Sequence, residues 1–454
     1  VLASVSVNFE RDLPRFKTIA GAIHVSETEV VAPTLMFAAA LDTVLAQLSA
    51  ILDLSRVVAI GGCGQQHGPV FWKKGAGDLL SRLGEHVDES LEDLLSKGAF
   101  AIHQPPIWMD SDSTEYCHRL ERDVGGPQAL ADLTGSHSYE RFTGNLIAKI
   151  IDTHRDEFAV CERISLISSF IPSLLLGTYA PIDYTDGSGM NLLDLDTKQW
   201  HPTLLDSIAG PRHTPSHIAS LLGTPSPTLT SLGPISPYFT RRYKLPATCL
   251  ITPFMGDNPS TVAGRALVPG HMAVTLGTSG GLMALLPRAL ARPSGREGHL
   301  LLDALAPRDT RVVMLCFKNG SLVREEVRNR VACRSWDVFG RLLRGRVVGN
   351  QGYIGIFYGS PEITPPCPRT GMWVFDVEGR RVLEGVPPEV EVRCVVESQV
   401  MAMRRHAEML GVVNSQRIVV SGGAAANVDI LQVVADVFGV PVVGGGNGAE
   451  LGAA

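Results

Sequence analysis

Three short apolar runs in this chain of 454 residues each end in a glycine-rich turn, and that repeated pattern limits the folds open to it. Arg56–Ile60 enters Gly61-Gly62-Cys63-Gly64, Met272–Leu276 enters Gly277-Thr278-Ser279-Gly280-Gly281, and Arg417–Val420 enters Ser421-Gly422-Gly423-Ala424. Short runs bounded by glycine read as buried strands. Thr248–Thr252, Arg311–Cys316 and Val440–Val443 read the same way. Helical patterns lie between them. Thr34–Leu54 carries Leu35, Ala38, Leu41, Leu45, Leu48 and Leu52 at helical spacing. Glu391–Leu410 reads as a long helix stopped by Gly411, and Asn427–Phe438 as a helix that Asn427 can cap. Interleaved strands and helices predict an α/β architecture. The length predicts two domains, because a single core stops growing at about 250–300 residues.

Two proline-rich stretches read as irregular: Asp206–Pro237, expected near a domain boundary, and Pro361–Pro368, expected as a loop. Val1–Phe9 alternates like a strand, with Val5, Val7 and Phe9 against Ser4, Ser6 and Asn8. A hydrophobic content of 45% and a charged content of 19% are those of a globular chain. The formal charge of -6 leaves no cationic excess for a nucleic-acid partner. Asp42 and Gln47 interrupt the longest early apolar stretch, so no transmembrane run and no membrane partner are expected. The eight cysteines are scattered without a C-x-x-C pair, which predicts reduced thiols, no structural zinc and a cytoplasmic location.

Gly256-Asp257-Asn258-Pro259 places a carboxylate upstream of the Gly277–Gly281 turn. Phosphorylating a sugar needs a group that accepts the attacking hydroxyl's proton and a backbone cradle for phosphate, and the two segments offer one each. Both are also ordinary turn chemistry. Gly277–Gly281 matches a rival motif as well, G-x-S-x-G, in which Ser279 is a hydrolase nucleophile served by Asp303 and His406. Ser421-Gly422-Gly423-Ala424, a turn from strand to helix, suits a nucleotide or nothing in particular. His67 in Gly64-Gln65-Gln66-His67-Gly68 could bond sugar hydroxyls or local backbone. Arg141 could hold a sugar oxygen or pair with Glu140 or Asp110. Neither a Walker A loop nor G-x-G-x-x-G is present.

Taken together and in order along the chain, the motifs resemble the FGGY carbohydrate kinases, in their eukaryotic xylulokinase branch. The resemblance rests on Phe9-Glu-Arg-Asp-Leu-Pro14, Gly64–Gly68, Ile107-Trp-Met-Asp-Ser111, Tyr139–Asn145, Glu162–Leu166, Pro181–Asn191, Gly256–Pro259, Leu276–Ser279, Cys316–Ser321 and Ser421–Gly423. It implies an α/β fold of two actin-like, ribonuclease H-like ATPase domains with a cleft between them, residues 1–246 binding sugar and 247–454 binding nucleotide. It implies ATP-dependent phosphorylation of D-xylulose to D-xylulose 5-phosphate, with ATP and Mg2+ as cofactors and small-molecule partners only. By motif, His67, Arg141, Asp257 and Asn258 hold the ketose, and Asp257 is the catalytic base. Trp336, Gly422, Gly423 and Asn427 hold the nucleotide, and Gly277 and Thr278 line its phosphates. Trp108 and Asp110 line the sugar pocket, and no residue is assigned to a metal.

The chain departs from the family pattern in four places. It begins after the family's first strand and D-x-S/T-x-Q phosphate loop. Gly280 stands where relatives usually have Asp, and His137 where they have Arg. Most of the closing helix after Gly448 is missing, so both ends are expected to be trimmed. Two other readings stand beside the kinase: a non-catalytic sugar-binding remnant or truncated product of the family, and a serine hydrolase at Ser279.

Overall fold

The computed structural model describes residues 1–382, 384–445 and 452–453. The chain divides into two compact units, Val1–Thr261 with Ala449–Ala454, and Val262–Gly448. The division falls inside the Asp257–Gly264 helix, so residues 247–261 lie with the first unit rather than with the second. The expectation about the helix beyond Gly448 falls mainly on residues outside the described ones.

The first unit packs helices around several short ladders. Ala59–Ile60 pairs in parallel with Leu250–Ile251, and Cys63–Gly64 pairs in parallel with Met255–Gly256. Pro69–Lys73 pairs antiparallel with Cys161–Leu166 and is buried from Pro69 to Trp72. The two parallel pairings matter most for function: they place the segment after Gly64 beside the segment after Gly256. A core around Trp72, Phe100, Phe170 and Tyr238 backs one side of these ladders, and another around Phe71, Ile147, Phe158 and Leu192 backs the other.

Several local expectations change. Residues 1–8 join no ladder; Asn8 instead caps a short helix, Phe9–Asp12, by accepting the Arg11 N–H at 2.8 Å. The first predicted strand shrinks to Ala59–Ile60, because Asp53 caps a 3-10 turn over Leu54–Arg56. The first half of the proline-rich stretch is helical, while 223–236 forms no helix: Pro202–Ala209 runs into the stretch, Pro215–Leu222 lies within it and Pro237–Tyr243 begins at its last residue, each with proline in the first turn. Proline lacks an N–H that the first turn would leave unpaired anyway, so here it starts helices instead of breaking them.

The Thr34–Ile51 helix has a mean hydropathy of 1.6 and is long and apolar enough to cross a membrane, contrary to the expectation from Asp42 and Gln47. In the fold a third of it is buried, with Ala38 and Leu45 in one hydrophobic cluster and Met36 and Ala39 in another. Asp42 is buried and its carboxylate accepts from the Leu91 N–H at 2.6 Å and the Tyr243 hydroxyl at 2.7 Å. Those bonds satisfy a group whose burial otherwise costs several kcal/mol, on the order of the penalty for an unpaired buried charge.

The second unit is built on a six-stranded sheet in the order His299–Leu302, Thr310–Phe317, Gly280–Pro287, His271–Leu276, Arg417–Ser421, Val442–Gly444. The first three pairings are antiparallel and the last two parallel. The Pro388–Met409 helix packs on this sheet, and the Val428–Phe438 helix is capped by Asn427, whose Oδ1 accepts from the N–H groups of Asp429 and Ile430 at 3.0 and 3.2 Å. Pro361–Pro368 is not all loop, since Glu362–Ile363 and Pro366–Cys367 form a small ladder.

Candidate functional site

The parallel ladders of the first unit bring Gln66, the residue before His67, to Asp257 and Asn258. Asp257 opens its helix and is half-buried; burial pushes its carboxyl above the usual range, against the pull of the Asn258 and Gln66 N–H groups. Its Oδ1 accepts from the Asn258 N–H at 2.9 Å and from Asn258 Nδ2 at 3.2 Å. His67 is buried, stacks on Phe142 at 4.7 Å, and its Nδ1 lies 2.9 Å from the Gly189 carbonyl. Burial, and then the charge of Arg141, hold its pKa down to about 3, so the ring is neutral. A carbonyl can only accept, so Nδ1 carries the proton and Nε2 is left as an acceptor.

Arg141 makes no ion pair with Glu140 or Asp110. Its guanidinium lies over the rings of Tyr139 at 4.7 Å and Trp108 at 5.7 Å, and donates to the Tyr139 hydroxyl at 3.3 Å. Asp110 is committed elsewhere. It is buried, takes the Val30 and Asp112 N–H groups at 3.1 Å each, and pairs with Lys149 at 3.1 Å. It braces the fold, whereas Trp108 remains partly exposed. His137 turns its Nδ1 to the Ser138 carbonyl at 3.0 Å.

In the second unit, Gly277, Thr278 and Ser279 form the bend of a hairpin, with Leu276 paired to Gly280 across it. Thr278 and Ser279 are exposed. The Ser321 N–H donates to the Gly277 carbonyl at 2.8 Å, tying the bend to the start of the Ser321–Val331 helix. Gly422 leaves the neighbouring parallel strand at φ +88°, and a Cβ there would lie 2.8 Å from the Leu276 carbonyl. Only glycine lets these two turns close against each other. Trp336 begins its helix, about one-third exposed, edge-on to Phe339 and covered on one face by Arg328 at 4.6 Å. Arg344 and Asp429, 2.5 Å apart, join that helix to the one Asn427 caps.

The hairpin rules out the hydrolase motif. A nucleophile elbow runs from strand to helix, holding its serine on a strained turn. Here the chain folds straight back into a second strand. Asp303 binds Thr310 Oγ1 at 2.6 Å and His406 pairs with Glu297 at 2.8 Å, so neither serves Ser279.

The sequence assigns no role to three neighbours of these residues. Gln66 Oε1 accepts from Asn258 Nδ2 at 2.8 Å. Asp186, buried in the first unit, accepts from Ser168 Oγ at 2.5 Å and from Gln66 Nε2 at a longer 3.4 Å. Its pKa is pushed up to about 8 by burial first and by Asp183 second, with a smaller push from Asp257. Arg324 in the second unit is 2% exposed, donates to Gln399 Oε1 at 2.7 Å, and leaves its Nε without a partner. Gln66 and Asp186 lie inside two of the motif stretches, Gly64–Gly68 and Pro181–Asn191, but nothing local gives either a role, and Arg324 lies outside every motif; each matters through contacts remote in sequence.

The description of the FGGY family of carbohydrate kinases matches twice, its N-terminal domain over residues 100–239 and its C-terminal domain over 272–454. The chain is 45% identical to the xylulose kinase of Mus musculus over 441 residues, which is 96% of this chain and 77% of that protein. It is 38% identical to xylulose kinase 2 of Arabidopsis thaliana, covering 82% of that protein. Among solved structures, the xylulose kinase of Rhodospirillum rubrum superposes with a TM-score of 0.77 at 16% identity, covering 95% of this chain and 82% of the other. A Plasmodium falciparum glycerol kinase solved with ADP gives 0.70 at 14% identity, covering 93% and 79%. With both domain descriptions matched and relatives of this identity along nearly its whole length, the chain belongs to the FGGY family of carbohydrate kinases.

Proposed function

We propose that this chain transfers the γ-phosphoryl group of ATP to D-xylulose, giving D-xylulose 5-phosphate and ADP. The observation that carries this reading is the Asp257 carboxylate, half-buried and raised in pKa, beside a cluster of groups suited to a polyol. A base works best when its pKa approaches the operating pH, and burial moves Asp257 that way. His67 Nε2 accepts from a sugar hydroxyl, and Arg141 donates to a sugar oxygen. Asp257 takes the proton of the attacking hydroxyl as its oxygen bonds to phosphorus, and the bond to the ADP leaving oxygen breaks.

On the nucleotide side, Trp336 offers a ring face to the base, Gly422, Gly423 and Asn427 surround the nucleotide, and Gly277 and Thr278 bring backbone to its phosphates. Magnesium neutralises phosphate charge when bound. A cation of that kind takes one or two carboxylates with phosphate oxygens and water. That chemistry needs no cage of three acidic side chains, and none gathers among the described residues. The N-terminal domain is the sugar domain and the C-terminal one the nucleotide domain, and the setting is cytoplasmic.

The test is ADP release with MgATP, with and without D-xylulose, in parent and Asp257→Asn. Sugar-dependent release that falls by about 10²–10⁴-fold in the variant is expected for a lost general base. A variant as fast as its parent would refute the role of Asp257.

A further inference from the structure

Asn258 sits at the end of a chain of hydrogen bonds that decides which of its two amide atoms faces away from the protein. Its Nδ2 donates to Gln66 Oε1 at 2.8 Å and to Asp257 Oδ1 at 3.2 Å. Gln66 shows Asn258 its oxygen because its own Nε2 is turned to Asp186 Oδ1, 3.4 Å away. Asp186 offers that oxygen as an acceptor whether or not its other oxygen shares a proton with Ser168 Oγ, 2.5 Å away. The space is made by glycine: a Cβ on Gly256 would lie 2.5 Å from Gln66 Cγ and 2.9 Å from Asp186 Oδ1, and one on Gly189 would lie 3.3 Å from Gln66 Nε2. The outcome is an Asn258 whose Oδ1 takes no hydrogen bond from the described protein, on a half-buried residue between the buried Gly256 and Pro259.

We propose that Asp186 and Gln66 are positioning residues that lock the Asn258 amide with its carbonyl oxygen towards the sugar, so that the site selects a substrate with a hydroxyl donor next to the attacking hydroxyl. The proposal rests on the sugar-kinase reading above. With the amide locked, Asn258 Oδ1, the Asp257 carboxylate and His67 Nε2 are all acceptors. A polyol or ketose presenting neighbouring hydroxyls satisfies them; an analogue with hydrogen or a methoxy group at the neighbouring carbon leaves Asn258 Oδ1 unpaired. A site built to bond a hydroxyl rejects the analogue lacking it far more strongly than an apolar pocket rejects a misfit.

The test is a charge-swap series. Gln66→Met frees Asn258 to flip, and should raise KM for D-xylulose on the order of tenfold, the worth of one well-made hydrogen bond, while KM for ATP stays within about twofold. Asp186→Asn in the Gln66→Met background should add nothing. Gln66→Glu removes the donor to Asp186 and, above about pH 8 where Asp186 ionises, sets two carboxylates against each other, so assayed there it should also weaken sugar binding. The pair Gln66→Glu with Asp186→Asn restores an acceptor facing Asn258 and a donor facing residue 66, and should return KM to near the parent value. Additive losses from Gln66→Met and Asp186→Asn, or no rescue by the swapped pair, would overturn the proposal; a purely structural role predicts no rescue.

If the parent shows no ketose-dependent turnover, the activity reading fails by itself. The lock is then judged in protein labelled with ¹⁵N-asparagine. Protected Asn258 side-chain amide protons, exposed by Gln66→Met, support it; freely exchanging ones in the parent refute it.

Discussion

Asp186→Asn should change the pH dependence of stability in a way that can be worked out from the site. Asp186 is 1% exposed, and its carboxyl is pushed from 3.8 to about 8. The folded protein therefore holds a proton there that the unfolded chain releases above about pH 4. Between those values the unfolded state binds fewer protons, so stability falls as pH rises, by about 1.4 kcal/mol per unit for one group. From pH 5 to pH 8 the loss is about 3–4 kcal/mol, and it levels off above the folded-state value. Asparagine is close in shape to the protonated acid, can accept from Gln66 and donate to Ser168, and does not titrate. Because Asp186 is neutral below about pH 8, replacing it leaves the charges felt by Asp183 and Asp257 unchanged there. Asparagine stands in for the protonated acid, so the variant should match the parent below about pH 4, exceed it by about 1–2 kcal/mol at pH 5 and by about 5 kcal/mol at pH 8. Urea denaturation at pH 5, 6, 7 and 8 measures the gap. Hydrogen exchange of the Val70 and Ile164 amides, in a ladder of the first unit, confirms that this unit is responsible. Parallel stability curves for the two proteins would refute the argument.

Two further outcomes follow from the second unit. Arg324, whose burial lowers its pKa to about 10, lines a cavity of roughly 120 Å3 with Gly280 and Glu362, and its guanidinium donates to Gln399 Oε1 and the Leu276 carbonyl rather than to a carboxylate. Gly280→Asp places a counter-charge there, its Cβ meeting only the flexible tip of Met403 within 3 Å; it should raise stability by about 1–3 kcal/mol, read as a higher Tm, because an unpaired buried charge is costly. Trp336→Ala should raise KM for ATP about tenfold or more and leave KM for the sugar unchanged, since stacking a base on an aromatic ring is worth about 1–3 kcal/mol; equal KM values for ATP would remove Trp336 from the nucleotide site.

The α/β class, the second unit's main strands and the two long helices were legible because they rest on local periodicity and caps. Gly411 follows the Pro388–Met409 helix and Asn427 caps the Val428–Phe438 helix as local rules require. The family was legible from motifs in order, each of them short. What failed locally failed for physical reasons. Proline at a first turn and proline inside a loop look alike until the helix is seen, as at Pro202 and Pro215. G-x-S-x-G reads as an elbow or a hairpin bend, and only the pairing of Leu276 with Gly280 separates them. The partner of Arg141 could not be chosen from sequence, because Lys149 holds Asp110.

The sequence alone determined the periodic elements, the glycines that close the turns, and the carboxylate of Asp257. Tertiary structure alone decided protonation and orientation: a neutral His67 with Nε2 left as an acceptor, and an Asn258 amide turned by Gln66 and Asp186. Local pattern sets backbone conformation through neighbours within a few residues. A proton or an amide answers to burial and to partners that the parallel ladders bring from far along the chain.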